Sequence, residues 1–214
     1  DTTDLGAYKY ASQGGSEPGD IRFKDLNRDG VISDLDRTII GKPIPDFTYS
    51  VNIDLGYKNF DFSIFVFGMQ NYQVLNALRR DVESFASQDI AHNKSKDFGL
   101  NYWTTENLST EYIRLDPDNS NNNTRFSTWW LEDASFLRIK DIQLGYRLSQ
   151  STLDRMGMSS LRVYVSAVNL HTFTKYTGRD PESPINSDDP LAPGTDNGAY
   201  PLPRVFNLGL QLGF

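Results

Sequence analysis

Hydrophobic and polar residues alternate one by one in five stretches of this 214-residue chain, and the period is lost between them. Phe47, Tyr49, Val51, Ile53, Leu55 and Tyr57 take one parity, and Thr48, Ser50, Asn52, Asp54 and Gly56 take the other. A period of two puts these sets on opposite faces of a strand. After a tight Lys58-Asn59 turn, Phe60, Phe62, Ile64 and Val66 alternate with Asp61 and Ser63, which predicts a hairpin. Between Phe136 and Leu148, Leu137 and Ile139 share one parity, but Ile142, Leu144, Tyr146 and Leu148 take the other. A change of face within one strand implies a bulge near Lys140 and Asp141. Leu161, Val163, Val165 and Ala167 then alternate with Arg162, Tyr164 and Ser166. In the last stretch Val205 or Phe206, Leu208, Leu210, Leu212 and Phe214 oppose Asn207, Gly209, Gln211 and Gly213. The expected strands cover about 47–57, 60–69, 134–148, 160–172 and 203–214.

The connections alternate short and long. Residues 1–46 read as a loop punctuated by Gly and Pro. Residues 70–132 have no sustained period, contain the polar run Asp116 to Thr124, and read as one partly ordered loop with a short helix around Val74 to Phe85. Residues 149–159 make a short link with a helical turn at Ser151 to Met156, and 173–202 make a second long loop. Transmembrane barrels have this asymmetry, with tight turns on one side of the bilayer and long loops on the other. Phe47, Tyr57, Phe60, Tyr146 and Phe214 stand near strand ends, where an interfacial girdle would place them. If the last strand runs down to the periplasm, both long loops and residues 1–46 lie outside the cell. Five strands are too few for a closed barrel, and hydrocarbon does not tolerate the open edges they would leave. The fold class is therefore all-β, the carboxy-terminal strands of a larger transmembrane antiparallel barrel. A chain that begins at Asp1, without Met or leader, reads as a processed product or a piece of something longer. A soluble β-sandwich, calcium-stabilised and serving as a glycan-binding or adhesin module, is the alternative of another class.

Composition narrows the partners. A net charge of −7 without any basic run beyond two residues argues against nucleic acid. The absence of Cys removes disulfides, thiol catalysis and thiolate metal sites. The chain has no apolar run of the length a membrane-spanning helix needs, while a mean hydropathy of −0.51 is compatible with strands that show lipid only every second residue.

Four blocks carry a family resemblance: GDIRFKDLNRDGVISDLDRTIIGKPIPDFTYSVNIDLGYKNFDFSIFVFG, RFSTWWLEDASFLRIKDIQLGYRL, SLRVYVSAVNLHTFTKYTGRDPE and YPLPRVFNLGLQLGF. In this order they resemble the end of SusC/RagA-type TonB-linked outer-membrane transporters. The resemblance implies a 22-stranded barrel filled by a plug and powered through TonB. It also implies a SusD-like surface lipoprotein as lid, outer-membrane lipid around the wall, a Bacteroidetes-type envelope, and import of oligosaccharides or, less often, peptides. Asn207, Gly209, Leu212 and Phe214 resemble the terminal signature by which such barrels are recognised for assembly.

The sharpest local motif runs from Asp25 to Asp36, DLNRDGVISDLD. A calcium loop of the EF-hand kind needs oxygens at positions 1, 3, 5, 7, 9 and 12 and Gly at 6. Asp25, Asn27 and Asp29 would supply side chains, Val31 its carbonyl, Ser33 a direct or water-mediated contact, and Asp36 the closing carboxylate. The competing reading is a turn held by its own side-chain hydrogen bonds. Tyr102, Trp103 and Trp129 are candidate stacking partners for a sugar ring, with loop packing the competing role, and Trp129 and Trp130 also suit a membrane-interface anchor. Asp180, Asp188, Asp189 and Asp196 predict an acidic, solvated or lid-contacting surface. His92 and His171 lack a zinc spacing and read as solvated or locally hydrogen-bonded. No nucleophile elbow, phosphate loop or dinucleotide fingerprint is present, so no enzyme activity is expected.

Overall fold

The computed structural model describes residues 13–85, 93–182 and 193–214. In chain order the regular elements are a 3₁₀ turn Asp34–Asp36, β1 Phe47–Tyr57, β2 Phe60–Gln70, β3 Gln73–Asn76, α1 Ala77–Glu83, α2 Lys96–Asn101, β4 Leu131–Asp133, β5 Phe136–Arg147, α3 Gln150–Met156, β6 Ser160–Thr174, β7 Thr195–Asp196 and β8 Val205–Gly213. They belong to two compact units. The first draws on Asp1–Gly41, Leu75–Leu131 and Thr195–Asn197; the second on Lys42–Val74, Glu132–Gly194 and Gly198–Phe214.

The second unit is built on one antiparallel sheet in the order β1-β2-β5-β6-β8. Residues directly opposed in an antiparallel ladder share a face. Leu55, Phe62, Leu144, Val165 and Leu208 therefore form one apolar row across all five strands, and Tyr57, Phe60, Tyr146, Val163 and Leu210 form the next. Ile53, Ile64, Ile142, Ala167 and Phe206 make a third, so it is Phe206 and not Val205 that joins the apolar face. The rows between them are polar on the other side: Asp54, Ser63, Gln143, Ser166 and Asn207 stand in line. Among the described residues the outer edges of β1 and β8 have no ladder partner.

Two local devices keep this pattern in register. Lys58 takes a left-handed conformation (φ 53°), which closes the two-residue turn between Tyr57 and Phe60. Against β6 the register shifts between Ile139 and Asp141, where Lys140 alone faces a left-handed Asn169 (φ 52°) and Leu170, and against β2 Lys140 is itself the extra residue, with Asp141 opposite Phe65 and Ile139 opposite Val66. The extra residue returns Leu137 and Ile139 to the face that carries Ile142, Leu144 and Tyr146. In β2 the alternation fades after Ile64 for a reason outside the strand. Phe67 and Met69 pack against a buried cluster of Tyr72, Val74, Ala134, Phe136 and Tyr176, so both faces are apolar there.

The first unit differs from the expectation of a partly ordered loop. Ile21, Leu75, Phe98, Ile113 and Trp130 form a buried core, flanked by Phe23, Tyr102, Tyr112 and Trp129. Capping side chains start its helices: Asn76 accepts from the Arg79 N–H and Ser95 from the Phe98 N–H. The polar run 116–124 is not wholly solvated, since Asp116, Asn121 and Asn123 are buried. Asn121 donates to the Ile21 carbonyl at 3.0 Å, Asn123 accepts from the Ile21 N–H at 3.0 Å, and the Trp130 indole donates to the Asn123 carbonyl at 2.9 Å. Asn123 also donates to Asp20 at 2.8 Å, and Arg114 pairs with that same carboxylate at 2.7 Å. These amides satisfy backbone groups that have no ladder to join, so a chain with little regular structure still buries its core.

Candidate functional site

Among the described residues the apolar rows of the sheet are largely open, although Ala167 is buried. Leu208 is 76 % exposed, Phe206 68 % and Leu55 59 %. A continuous apolar face of this breadth marks contact with another apolar body, and rows that cross every strand suit the bilayer. The opposite face carries charge: Arg162 donates from Nε to Asp61 Oδ1 at 2.9 Å, and its guanidinium lies over the Tyr164 ring. Gly209 has a steric role here, since a Cβ at that position would overlap the Tyr164 ring. Asn207 is also on this side, donating to Ser166 at 3.3 Å, whereas Leu212 opposes Leu161 and Phe214 is 89 % exposed beyond β8.

In the acidic loop the side chains organise the backbone. Asp25 accepts from the N–H groups of Arg28 at 2.6 Å and Gly30 at 2.9 Å, Asn27 from Asp29 at 2.9 Å, and Asp29 from Val31 at 2.8 Å. Asp36 closes the loop by accepting from Leu26 and Ser33, both at 2.8 Å, while Ser33 caps the 3₁₀ turn. The Ser33 N–H first, then that of Leu26, holds the Asp36 carboxyl below the usual carboxylate range. Gly30 takes φ 87° at the sharp corner, where only glycine is unstrained. Among the described residues no group of three His, Asp or Glu side chains is placed to hold a metal. The bonds of this loop are those of a self-held Asx turn.

The aromatic candidates separate. Tyr102 packs on Phe98, with ring centroids 6.2 Å apart. Trp103 and Trp129 line a cleft of about 1360 Å³ within the first unit. Trp130 is fully buried in the core, which overturns the interface-anchor reading for it. Phe126, which the sequence does not single out, stands 69 % exposed in the wall of the same cleft. Asp180 is also displaced from its expected place on a solvated surface. It is 5 % exposed and pairs with the equally buried Arg138 at 2.6 Å, because that guanidinium needs a partner inside. Asp196 is buried too, in the parallel pairing of β7 with β3, where Leu75 faces Thr195. His171 lies on β6 with its ring edge-on to Phe173 at 4.4 Å. His92, Asp188 and Asp189 lie outside the described residues.

Comparison with known proteins follows this geometry. No protein-family profile matches the chain. TonB-dependent receptor P3 of Formosa agariphila is 37 % identical over 205 residues, covering 94 % of this chain and 20 % of the relative. TonB-dependent receptor SusC of Bacteroides thetaiotaomicron is 29 % identical over 214 residues, covering 97 % and 19 % respectively. Among solved structures, the RagAB peptide transporter superposes with a TM-score of 0.70 at 28 % identity, over 86 % of this chain and 19 % of that one. The closed-closed state of the RagAB peptide importer gives 0.69 at 28 % identity, over 89 % and 20 %. The chain thus spans about a fifth of the length of the curated relatives it matches. A five-stranded sheet with one apolar and one polar face, both edges open, is what a section of a barrel wall looks like, and the chain belongs to the SusC/RagA family of TonB-linked outer-membrane transporters.

Proposed function

We propose that the chain forms part of the wall and the extracellular loops of an active importer of oligosaccharides in a Bacteroidetes-type outer membrane. A SusD-like lipoprotein would serve as lid, and a plug driven through TonB would open the path. The observation that carries this reading is the set of apolar rows across β1, β2, β5, β6 and β8. Its test uses the mid-strand row. In the full-length transporter, Ile142→Arg places a cation at bilayer depth and is expected to cost about 2–4 kcal/mol, read as loss of folded barrel from the outer-membrane fraction. Gln143→Arg, one residue away on the polar face, is expected to leave it in place. Equal tolerance of both would remove the membrane assignment and favour a sandwich.

Aromatic rings and small hydroxyls in the cleft of the first unit support a saccharide cargo, with Trp103 and Trp129 as wall and Tyr102 behind them. A peptide cargo is the second reading, favoured by the likeness to the RagAB peptide transporter. For the ends of the sheet, Asn207, Gly209, Leu212 and Phe214 act as the assembly signal in this reading. Calcium at the Asp25–Asp36 loop belongs to this reading, with Asp25, Asn27, Asp29, Ser33 and Asp36 turning from the loop N–H groups toward the ion and Val31 adding its carbonyl. Calorimetric titration of the transporter with calcium chloride is expected to give saturable heat, abolished in an Asp25→Asn, Asp29→Asn double variant. A flat titration of the unmodified protein leaves only the turn.

A further inference from the structure

We propose that the cleft of the first unit is a binding site for acidic saccharides, sugar chains that carry carboxylate groups. This rests on the importer reading above and assigns the chemical class of its cargo. The chain as a whole has a charge of −7, yet the cleft reverses that sign. Five cationic side chains line it, Arg22, Lys24, Arg37, Arg80 and Arg125, of which Arg37 pairs with Asp34 at 2.8 Å and Arg80 with Asp81 at 3.3 Å. Two carboxylates share the lining, Asp20 and Asp36, and both are engaged elsewhere. Asp20 pairs with Arg114 at 2.7 Å, and Asp36 accepts from three N–H groups of its own loop. A concave wall of one sign concentrates ligands of the other.

Two buried polar atoms in this wall have no hydrogen-bond partner: Arg125 Nε and Ser127 Oγ. A guanidinium N–H and a hydroxyl that both lack a partner in one wall suit an anionic oxygen and a sugar hydroxyl, and a uronic-acid ring presents both. Flat faces for such a ring are at hand. The Arg125 guanidinium stacks 4.5 Å from the Phe23 ring centre, and that of Arg80 sits 5.8 Å from the exposed Phe126. No lining residue belongs to a strand, so an extended peptide finds no ladder to join.

The test is binding of tetragalacturonate to the full-length transporter in detergent, followed by calorimetry. The comparison ligands are its neutral methyl ester and tetraglutamate. The acid is expected to bind at least about tenfold more tightly than its ester, as charge-assisted hydrogen bonds require, and to weaken as salt rises. Arg125→Gln should lose about tenfold or more in affinity. The exposed Lys24→Gln, which risks nothing in folding, should lose a smaller part and flatten the salt dependence. Equal binding of acid and ester overturns the inference while leaving a saccharide importer standing. Binding of tetraglutamate alone overturns it in favour of a peptide cargo. Absence of binding by all three, in a transporter that still reaches the outer membrane, overturns it without touching the barrel assignment.

Discussion

Replacing Arg138 by Met is expected to loosen the turn that carries Asp180 by about 3–5 kcal/mol, the cost of leaving a buried charge without its partner. Arg138 is 3 % exposed and holds three groups together: Asp180 at 2.6 Å, Glu182 at 2.5 Å and the Thr172 hydroxyl at 2.7 Å. Glu182 keeps Lys140 in the variant, but Asp180 loses its only ion-pair partner among the described residues. The pH dependence gives the mechanism away. Burial pushes the Asp180 carboxyl up, but the Arg138 guanidinium and the N–H groups of Leu202 and Glu182 outweigh it and hold the carboxyl below the usual range. A depressed folded value contributes stability that is present above the unfolded value and is lost as pH falls through the folded one. In the variant only burial and two N–H bonds remain, so the carboxyl rises and favours its neutral form. The deficit should therefore be largest near neutral pH and shrink in mild acid. Amide hydrogen exchange over 176–182, followed from pH 7 to 4 in both proteins, measures it. A deficit that stays constant with pH would mean lost packing rather than an unpaired charge.

Trp130→Ala is expected to cost about 3–5 kcal/mol in the first unit. The indole is fully buried, touches the cluster of Ile21, Leu75, Phe98 and Ile113, and donates to the Asn123 carbonyl at 2.9 Å. Its removal opens a cavity and orphans a buried acceptor together. Exchange protection at the Phe98 and Ile113 amides should fall by about a hundredfold to several thousandfold, the same free energy expressed as a ratio. Protection across the β5–β6 ladder should not change, because none of these contacts belongs to that sheet. Uniform loss over both units would show that they unfold as one.

The strands were legible because two different surroundings act on them. Lipid on one side and a polar interior on the other force a period of two, and no helix or loop imitates it over Phe47 to Tyr57. Even the bulge could be read, since a parity change between Ile139 and Ile142 has no other economical explanation. Legibility fails where the surroundings stop differing. Past Ile64, β2 is apolar on both faces because Phe67 and Met69 meet Tyr72 and Phe136. The first unit hides its core for the opposite reason. Asn121 and Asn123 look solvated in sequence, yet they are 1 % and 2 % exposed and stand in for backbone partners. Asp180 misled in the same way, as its partner Arg138 is far off in the chain. The cleft could not be foreseen at all: its cations come from residues 22–37, 80 and 125, and no stretch of the chain gathers them.

The bulge at Lys140 has a consequence for how such a wall can change length. Because one supernumerary residue already reverses which side chains look outward, losing it would turn half of β5 inside out against fixed neighbours. A single residue gained or lost elsewhere in a wall strand would exchange its two faces in the same way from that point on, unless a second bulge restored them, whereas a connection absorbs such a change without turning any strand.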